Sequence, residues 1–215
     1  MRVAIAGGHG KVGRRLARLL RQRGDEPQLL IRDRGQAAEL EAFGTPVVVD
    51  LEHADEAEVA DATAGSDAVV FAAGAGPGSG PERKWTVDYG GAAKLIAACK
   101  ANGITRYVIV SSQGADADAG GEDTFSVYLR AKGKADDELR ASGLDYTVVR
   151  PTGLTDEPGV GTVEIAEQVE RGQISREDVA AVLAAVLHEP ATVGQTFALG
   201  PGEVSIEDAV GQFRR

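Results

Sequence analysis

Val3-Ala4-Ile5-Ala6-Gly7-Gly8-His9-Gly10-Lys11-Val12-Gly13 is the stretch whose reading decides the fold of this chain. Four apolar residues of strand length run into glycines at 7, 10 and 13. A segment follows in which Leu16, Leu19 and Leu20 share one helical stripe. A strand that turns through glycine into a helix brings free N–H groups and a partial positive charge to the strand's end, where a diphosphate can bind. Gly7 suits the tight turn, Gly10 a close approach of backbone to the pyrophosphate, and Gly13 close packing of helix and strand. In a chain with 28 glycines the spacing alone is weak, and its place between a buried strand and an amphipathic helix makes it specific. His9, Lys11 and Val12 lie inside the loop and join the glycines as candidate dinucleotide contacts.

Working outward, strand-length apolar runs alternate with helical segments. Strands are expected at 28–31, 46–49, 68–72, 106–110 and 146–149, and helices at 12–22, 36–43, 54–63, 83–102 and 126–141. Val47-Val48-Val49, Ala68-Val69-Val70-Phe71 and Tyr107-Val108-Ile109-Val110 are almost wholly apolar. Strands buried on both faces read this way because helices cover both sides of a parallel sheet. The expected class is therefore α/β, a Rossmann-type doubly wound parallel sheet. Beyond Pro151 the rhythm changes, with short strands at 162–165 and 195–199 and a last helix after Ser205. Ser175 through Asp178 reads as a capping box opening the apolar run 179–187. The chain is expected to be a single domain over 1–215, with 151–215 a small substrate-side lobe packed over the strand ends.

Composition narrows the classes of function. The 33 acidic and 23 basic side chains leave a net charge of −10, which disfavours nucleic acid and anionic membranes as partners. Cys99 is the single cysteine and the three histidines are scattered, so neither a disulfide framework nor a metal site is expected. No stretch approaches the ~20 apolar residues of a membrane span or the core of a signal peptide, and the expected location is cytoplasmic. The expected partner is a small-molecule substrate.

The residue that chooses between NADP and NAD lies about 20 residues past the glycine loop, at the end of the second strand. There the chain reads Leu30-Ile31-Arg32-Asp33-Arg34. A guanidinium forks onto a 2′-phosphate, whereas a carboxylate bonds the ribose hydroxyls. Arg32 is the first polar residue and favours NADP; Asp33 would favour NAD if the strand ran one residue further. Asp50 and Leu51 close the third strand, where they could reach the adenine. Ala72, Ala73 and Gly74 leave the fourth, small enough for a ribose to lie against the backbone.

Tyr128 and Lys132 are spaced i, i+4 and share one helix face, which continues through Ala135 to Leu139. A lysine on an apolar stripe needs compensation, which a ribose diol and a phenol oxygen would supply. Hydride transfer to or from a carbon requires a proton at the attached oxygen. A phenol titrates near about 10 unless a nearby ammonium lowers it. Tyr128 is thus the candidate general acid/base, tuned by Lys132, which would also hold the ribose.

Together these residues resemble the atypical short-chain dehydrogenase/reductases, the NAD(P)H-binding, NmrA-like group that also includes chains labelled NAD-dependent epimerase or dehydratase. The resemblance rests on the loop 7–13, the strand end Leu30-Ile31-Arg32, Val110-Ser111-Ser112, the Tyr128/Lys132 pair and Leu144-Asp145-Tyr146-Thr147-Val148-Val149-Arg150 running into Pro151-Thr152-Gly153. It implies a coenzyme, NADP or alternatively NAD, with Ser111 and the turn Pro151, Thr152 and Gly153 beside the nicotinamide. Ser112 is the candidate substrate-bonding hydroxyl, because Gln113 stands where extended members often carry one. The implied activity is hydride transfer to or from a small carbonyl, alcohol or quinone. The alternatives are a non-catalytic dinucleotide sensor and an NAD-dependent epimerase/dehydratase.

Overall fold

Alternate residues of the first strand bury in opposite directions, and this organises the molecule. In the computed structural model, which describes residues 1–76 and 78–214, β1 (Arg2–Ala6) sends Val3 and Ile5 into one apolar cluster and Ala4 and Ala6 into another. Pro77 in the glycine-rich loop and the C-terminal Arg215 lie outside the described residues. Helix α1 (Lys11–Gln22) follows, then β2 (Glu26–Ile31), a 3₁₀ turn at Arg34–Gln36, α2 (Ala37–Leu40), β3 (Thr45–Val48), α3 (Glu56–Thr63) and β4 (Ala68–Phe71). Helix α4 (Pro81–Arg83) passes through a π-helical turn (Lys84–Tyr89) into α5 (Gly90–Asn102). Strand β5 (Arg106–Val110), α6 (Thr124–Ala141) and β6 (Asp145–Pro151) complete the core.

The main sheet has the order β3-β2-β1-β4-β5-β6 with every pairing parallel, so the strand order reverses beside β1. In such a sheet ligands settle outside the carboxyl ends of the strands at that reversal. The α/β, doubly wound expectation is met. One face carries α1, whose Leu16 and Leu20 are fully buried, each worth about 1.5–3 kcal/mol over an exposed position. The other face carries α3, α5 and α6 against Val69, Phe71, Tyr107 and Ile109.

Several boundaries differ from the sequence reading. The expected helix 36–43 shrinks to α2, because the Phe43 and Gly44 amides both fold back onto the Leu40 carbonyl. Helix α3 starts later than expected, with Asp55 as N-cap in a reciprocal capping box with Glu58. The third strand runs from Thr45 to Val48, one residue earlier than expected.

The C-terminal portion is corrected more substantially. After β7 (Gly153–Thr155), β8 (Thr162–Ala166), β9 (Gln173–Ser175) and α7 (Arg176–Leu187), strand β10 (Gln195–Pro201) pairs in parallel with β6. Strands β8 and β11 (Val204–Ser205) extend the same sheet antiparallel, followed by α8 (Ile206–Gly211) and a 3₁₀ turn at Gln212–Arg214. The described residues from 151 to 214 thus continue the sheet instead of only covering its strand ends. Their apolar alternation (Val163, Ile165, Phe197, Leu199) feeds the same cluster as α1, and α7 packs alongside α1. Among the described residues only the two-stranded β7–β9 ribbon stands apart. The capping box at Ser175 is half realised. Ser175 accepts from the Glu177 amide, while the Asp178 carboxylate accepts from the Val160 and Gly161 amides and secures the loop before β8. Among the described residues no helix is long and apolar enough to cross a membrane.

Candidate functional site

Two cavities open at the carboxyl ends of the strands. The first, about 320 Å³, lies beside β1, β2, β3 and β4. Gly7 adopts φ +78°, and a Cβ there would sit 2.8 Å from the Ala72 carbonyl oxygen, so both backbone sign and space demand glycine. A Cβ at Gly13 would meet the Gly7 carbonyl oxygen at 2.3 Å. Its glycine therefore lets the helix close on its own loop instead of on the strand. Gly10 is the N-cap of α1 and uses no side chain. The Lys11, Val12 and Gly13 amides have no backbone acceptor among the described residues, and no acidic residue occupies the first turn. Open amides on a helix end, walled by glycine, fit a diphosphate.

The remaining coenzyme candidates divide by what their side chains do. His9 lines the cleft and pairs with Glu39, which also reaches Arg14 at 3.5 Å. Lys11 points to the rim and pairs with Asp156, and the Val12 side chain is buried in the core. Strand β2 ends at Ile31, so Arg32 is the first residue beyond it; it lines the cleft, with no carboxylate partner among the described residues. Asp33 caps the 3₁₀ turn by accepting from the Gly35 amide at 2.8 Å. Asp50, Leu51, Ala72, Ala73 and Gly74 all line this cleft. Burial pushes the Asp50 carboxyl up, but its bonds to His53 and the Glu52 amide prevail and hold it below the usual carboxylate range. Glu52 forks onto Arg83 (2.8 Å at its closest) and accepts from Thr86 at 2.7 Å; these bonds, Arg83 first, lower its carboxyl. That clamp, which the sequence reading missed, ties the loop after β3 to the end of α4 and the π-helical turn.

Tyr128, Ser112, Pro151, Thr152 and Gly153 come together around a second cavity of about 430 Å³, at the ends of β5 and β6. Lys132 stands behind Tyr128, 3% exposed, its Nζ 5.9 Å from the Tyr128 ring centre. Its charge is compensated by protein: Nζ lies 3.3 Å from the Asp88 carboxylate and donates to the Val110 carbonyl at 3.1 Å. Asp88 is 1% exposed and also accepts from the Ala75 amide at 3.1 Å. Burial is the largest influence and works against the Lys132 ammonium, but Asp88, Tyr128 and Asp136 together outweigh it and the lysine's pKa is raised. To the ribose and phenol expected to compensate Lys132 the structure adds a buried carboxylate, Asp88. Asp88 was missed, although a carboxylate among Val87, Gly91, Ala92 and Leu95 on an apolar helix face called for a cationic partner.

The π-helical turn turns both Asp88 and Lys84 inward. The Lys84 ammonium donates to the Gly76 carbonyl and Ser79 hydroxyl and lies 5.6 Å from the Tyr128 ring centre. Asp88 thereby links the first cavity, through Ala75 and Gly74, to the lysine behind the second.

Ser111 is corrected as a coenzyme contact through its side chain. Its hydroxyl is buried and donates to Asp136 at 2.8 Å, and Asp136 in turn pairs with Arg150 at 2.8 Å. Burial is the largest influence on Asp136 and pushes its carboxyl up despite Arg150 and Ser111. Ser112 faces the cavity and donates weakly to the Gln113 carbonyl at 3.3 Å. Gln113 is engaged elsewhere, donating to the Val169 carbonyl at 2.6 Å.

Comparison with known proteins agrees with this geometry. Residues 7–190 match the family model described as NAD(P)H-binding. "Uncharacterized sugar epimerase YhfK" from Bacillus subtilis is 41% identical over 212 residues, covering 98% of this chain and 99% of that protein. A solved Bacillus halodurans structure named "Putative NAD-dependent epimerase/dehydratase" superposes with a TM-score of 0.91 at 40% identity, covering 99% of both chains. The oxidoreductase ylbE from Lactococcus lactis superposes at 0.86 with 25% identity, covering 99% of this chain and 96% of that one.

Proposed function

The chain belongs to the NAD(P)H-binding family, and from that premise we propose that it is an NADP-dependent reductase of a small carbonyl compound or quinone. The observation that carries this reading is the grouping of Tyr128 and Ser112 on one cavity wall, with the Lys132–Asp88 pair behind the phenol. When bound, the coenzyme supplies two electrons as hydride to a carbonyl carbon and is left oxidised. Tyr128 gives its proton to the carbonyl oxygen and recovers one from water. Asp88 fixes the Lys132 ammonium beside the ring, so the phenol faces a positive charge that cannot drift away. The preference for NADP is supported by Arg32 standing unpaired at the cleft while Asp33 is engaged with the Gly35 amide.

The test is NADPH oxidation against a panel of aldehydes and quinones. Tyr128→Phe should lower turnover by about 10²–10⁴-fold while calorimetric NADPH affinity is retained. Full turnover in that variant rejects the proton role. Arg32→Ala should weaken NADPH about tenfold, one charge-assisted pair's worth, and leave NADH unchanged.

A second reading, a dinucleotide sensor, draws on the Ser112 hydroxyl, which bonds its neighbour's carbonyl instead of the phenol. Tight NADPH binding with no turnover across the panel favours it. The names of the two Bacillus relatives suggest epimerisation or dehydration. That reading expects a retained coenzyme and turnover of a sugar substrate without added NADPH.

A further inference from the structure

The second cavity contains groups that proton delivery does not use. Phe125, at the start of α6, is 62% exposed, yet its ring stacks on Tyr128 with centres 6.0 Å apart and planes at 29°. Arg171, in the turn between β8 and β9, lines the same cavity. Among the described residues it has no carboxylate within 4.0 Å and no side-chain hydrogen bond, although the chain carries a net charge of −10. By contrast Arg83, which lines the first cavity, and Arg150, on the strand beside the second, are ion-paired; Arg32 at the coenzyme cleft shares the unpaired state of Arg171. Thr152 is 6% exposed, and its hydroxyl has no hydrogen-bond partner within the cavity wall.

Each feature selects for a property of the ligand. Phe125, stacked against Tyr128 and still largely exposed at the cavity wall, offers an aromatic face to a flat ring system. A guanidinium without a carboxylate is a fork for a carboxylate or sulfonate, and the other cations near this wall are already spent, Lys132 on Asp88 and Lys84 on Gly76 and Ser79. The volume lies in the range of small-molecule pockets.

We propose that the substrate is a planar conjugated carbonyl compound bearing an anionic group, its ring lying on Phe125, its carbonyl oxygen at the Tyr128 hydroxyl and its carboxylate or sulfonate held by Arg171. This rests on the reductase reading for the fate of the carbonyl. When bound, NADPH would supply the hydride taken up at the carbonyl carbon; the π electrons pass to the oxygen, which takes the Tyr128 proton, and Tyr128 recovers a proton from water. The products are the hydroxyl compound and oxidised coenzyme. Arg171 meets only the remote anion, so it sets affinity and specificity and leaves the reacting atoms to Tyr128.

The test is calorimetry with a matched pair of unreactive probes, naphthalene-2-carboxylate and naphthalene-2-carboxamide, on protein saturated with NADP. The wild type should bind the acid at least about tenfold more tightly than the amide, as a charge-assisted pair allows. Arg171→Ala should abolish that difference while leaving the amide unchanged, and Arg171→Lys should restore part of it. Phe125→Ala should weaken both probes alike. With a carboxylated quinone, Arg171→Ala should raise KM about tenfold at unchanged kcat. Equal binding of acid and amide, or no binding of the acid at millimolar concentration, overturns the proposal. So does an Arg171→Ala variant that loses NADP affinity, because the arginine would then serve the coenzyme. If NADP itself fails to bind the wild type, the reductase reading falls; if it binds without any charge preference on the probe side, only this inference falls.

Discussion

The two cavities at the strand ends are similar in size, and each holds a guanidinium without a carboxylate partner among the described residues, Arg32 in one and Arg171 in the other. They differ in what builds them. The floor of the coenzyme cleft is backbone: Gly7 and Gly10 with the helix closed on them through Gly13, open helix amides and the small residues 72–74. The second cavity is made of side chains delivered by four separate segments, around Ser112, Tyr128, Thr152 and Arg171, and braced from behind by buried charges. A backbone site is fragile to any added atom. A side-chain site is fragile to a lost partner.

The largest expected effect tests the first half of that contrast. Gly13→Val should abolish NADPH binding, at least about a hundredfold loss by calorimetry, because its Cβ would overlap the Gly7 carbonyl and the loop must open. The corresponding small change in the other cavity, Gly153→Ala, should leave NADPH affinity within about twofold. Its Cβ would meet the Gly172 oxygen at 3.2 Å and the flexible Gln173 side chain at 3.7 Å. Equal sensitivity at both positions would dissolve the distinction.

The same contrast explains how far the sequence could be read. The glycine loop, the apolar strands and the Arg32 position are local: each follows from a few contiguous residues and their period, and the structure puts them where the pattern implies. The i, i+4 spacing likewise put Tyr128 and Lys132 on one helix. Asp88, Glu52 and Arg83 could not be paired from sequence, because their partners lie 31 to 44 residues away and meet through the packing of the π-helical turn. Ser111 and Ser112 are adjacent, and only strand direction decides that one faces Asp136 and the other the cavity. Strands β8, β10 and β11 were hard to place for the same reason. Nothing in a short apolar run tells whether it joins an existing sheet or covers it.

The charge bracing of the second cavity gives the next effect. Arg150→Met should destabilise the fold by about 2–3 kcal/mol at pH 7, less than a fully buried pair because Arg150 keeps 24% side-chain exposure. It strands Asp136, whose carboxyl burial already raises, and removing Arg150 raises it further. A raised acid pKa in the folded state means that the fold gains protons more readily than the unfolded chain. The deficit is therefore full above the variant's folded pKa and shrinks as pH falls from there through the wild type's folded pKa. Urea denaturation of wild type and variant at pH 7 and pH 5 checks this, and a deficit that stays constant across that range would show that Asp136 is not the stranded group.

A smaller effect runs against helix propensity. Gly133 lies inside α6, where alanine is ordinarily favoured by about 1 kcal/mol. A Cβ there would approach the Ala117 nitrogen at 2.2 Å and the Asp116 carbonyl carbon at 2.3 Å, so the 114–119 loop lies directly on the helix. Gly133→Ala should therefore cost about 1–3 kcal/mol and disturb probe binding in the second cavity, which Gly114 lines, while sparing the coenzyme. A stabilised variant would place the loop elsewhere.

The smallest effect concerns the charge around Arg32. Glu39 is half exposed and draws both His9 and Arg14 to itself, and His9 shares the cleft with Arg32 and Gln36. A carboxylate at this corner repels a 2′-phosphate and occupies the Arg14 cation that could also meet it. Glu39→Gln should strengthen NADPH binding about two- to fivefold, the scale of one exposed ion pair, and change NADH less. The gain should fade in 1 M salt, where charges are screened within about 3 Å. If the variant binds NADPH more weakly instead, Glu39 is holding His9 in a productive position, and this corner of the coenzyme cleft depends on side-chain pairing as the second cavity does.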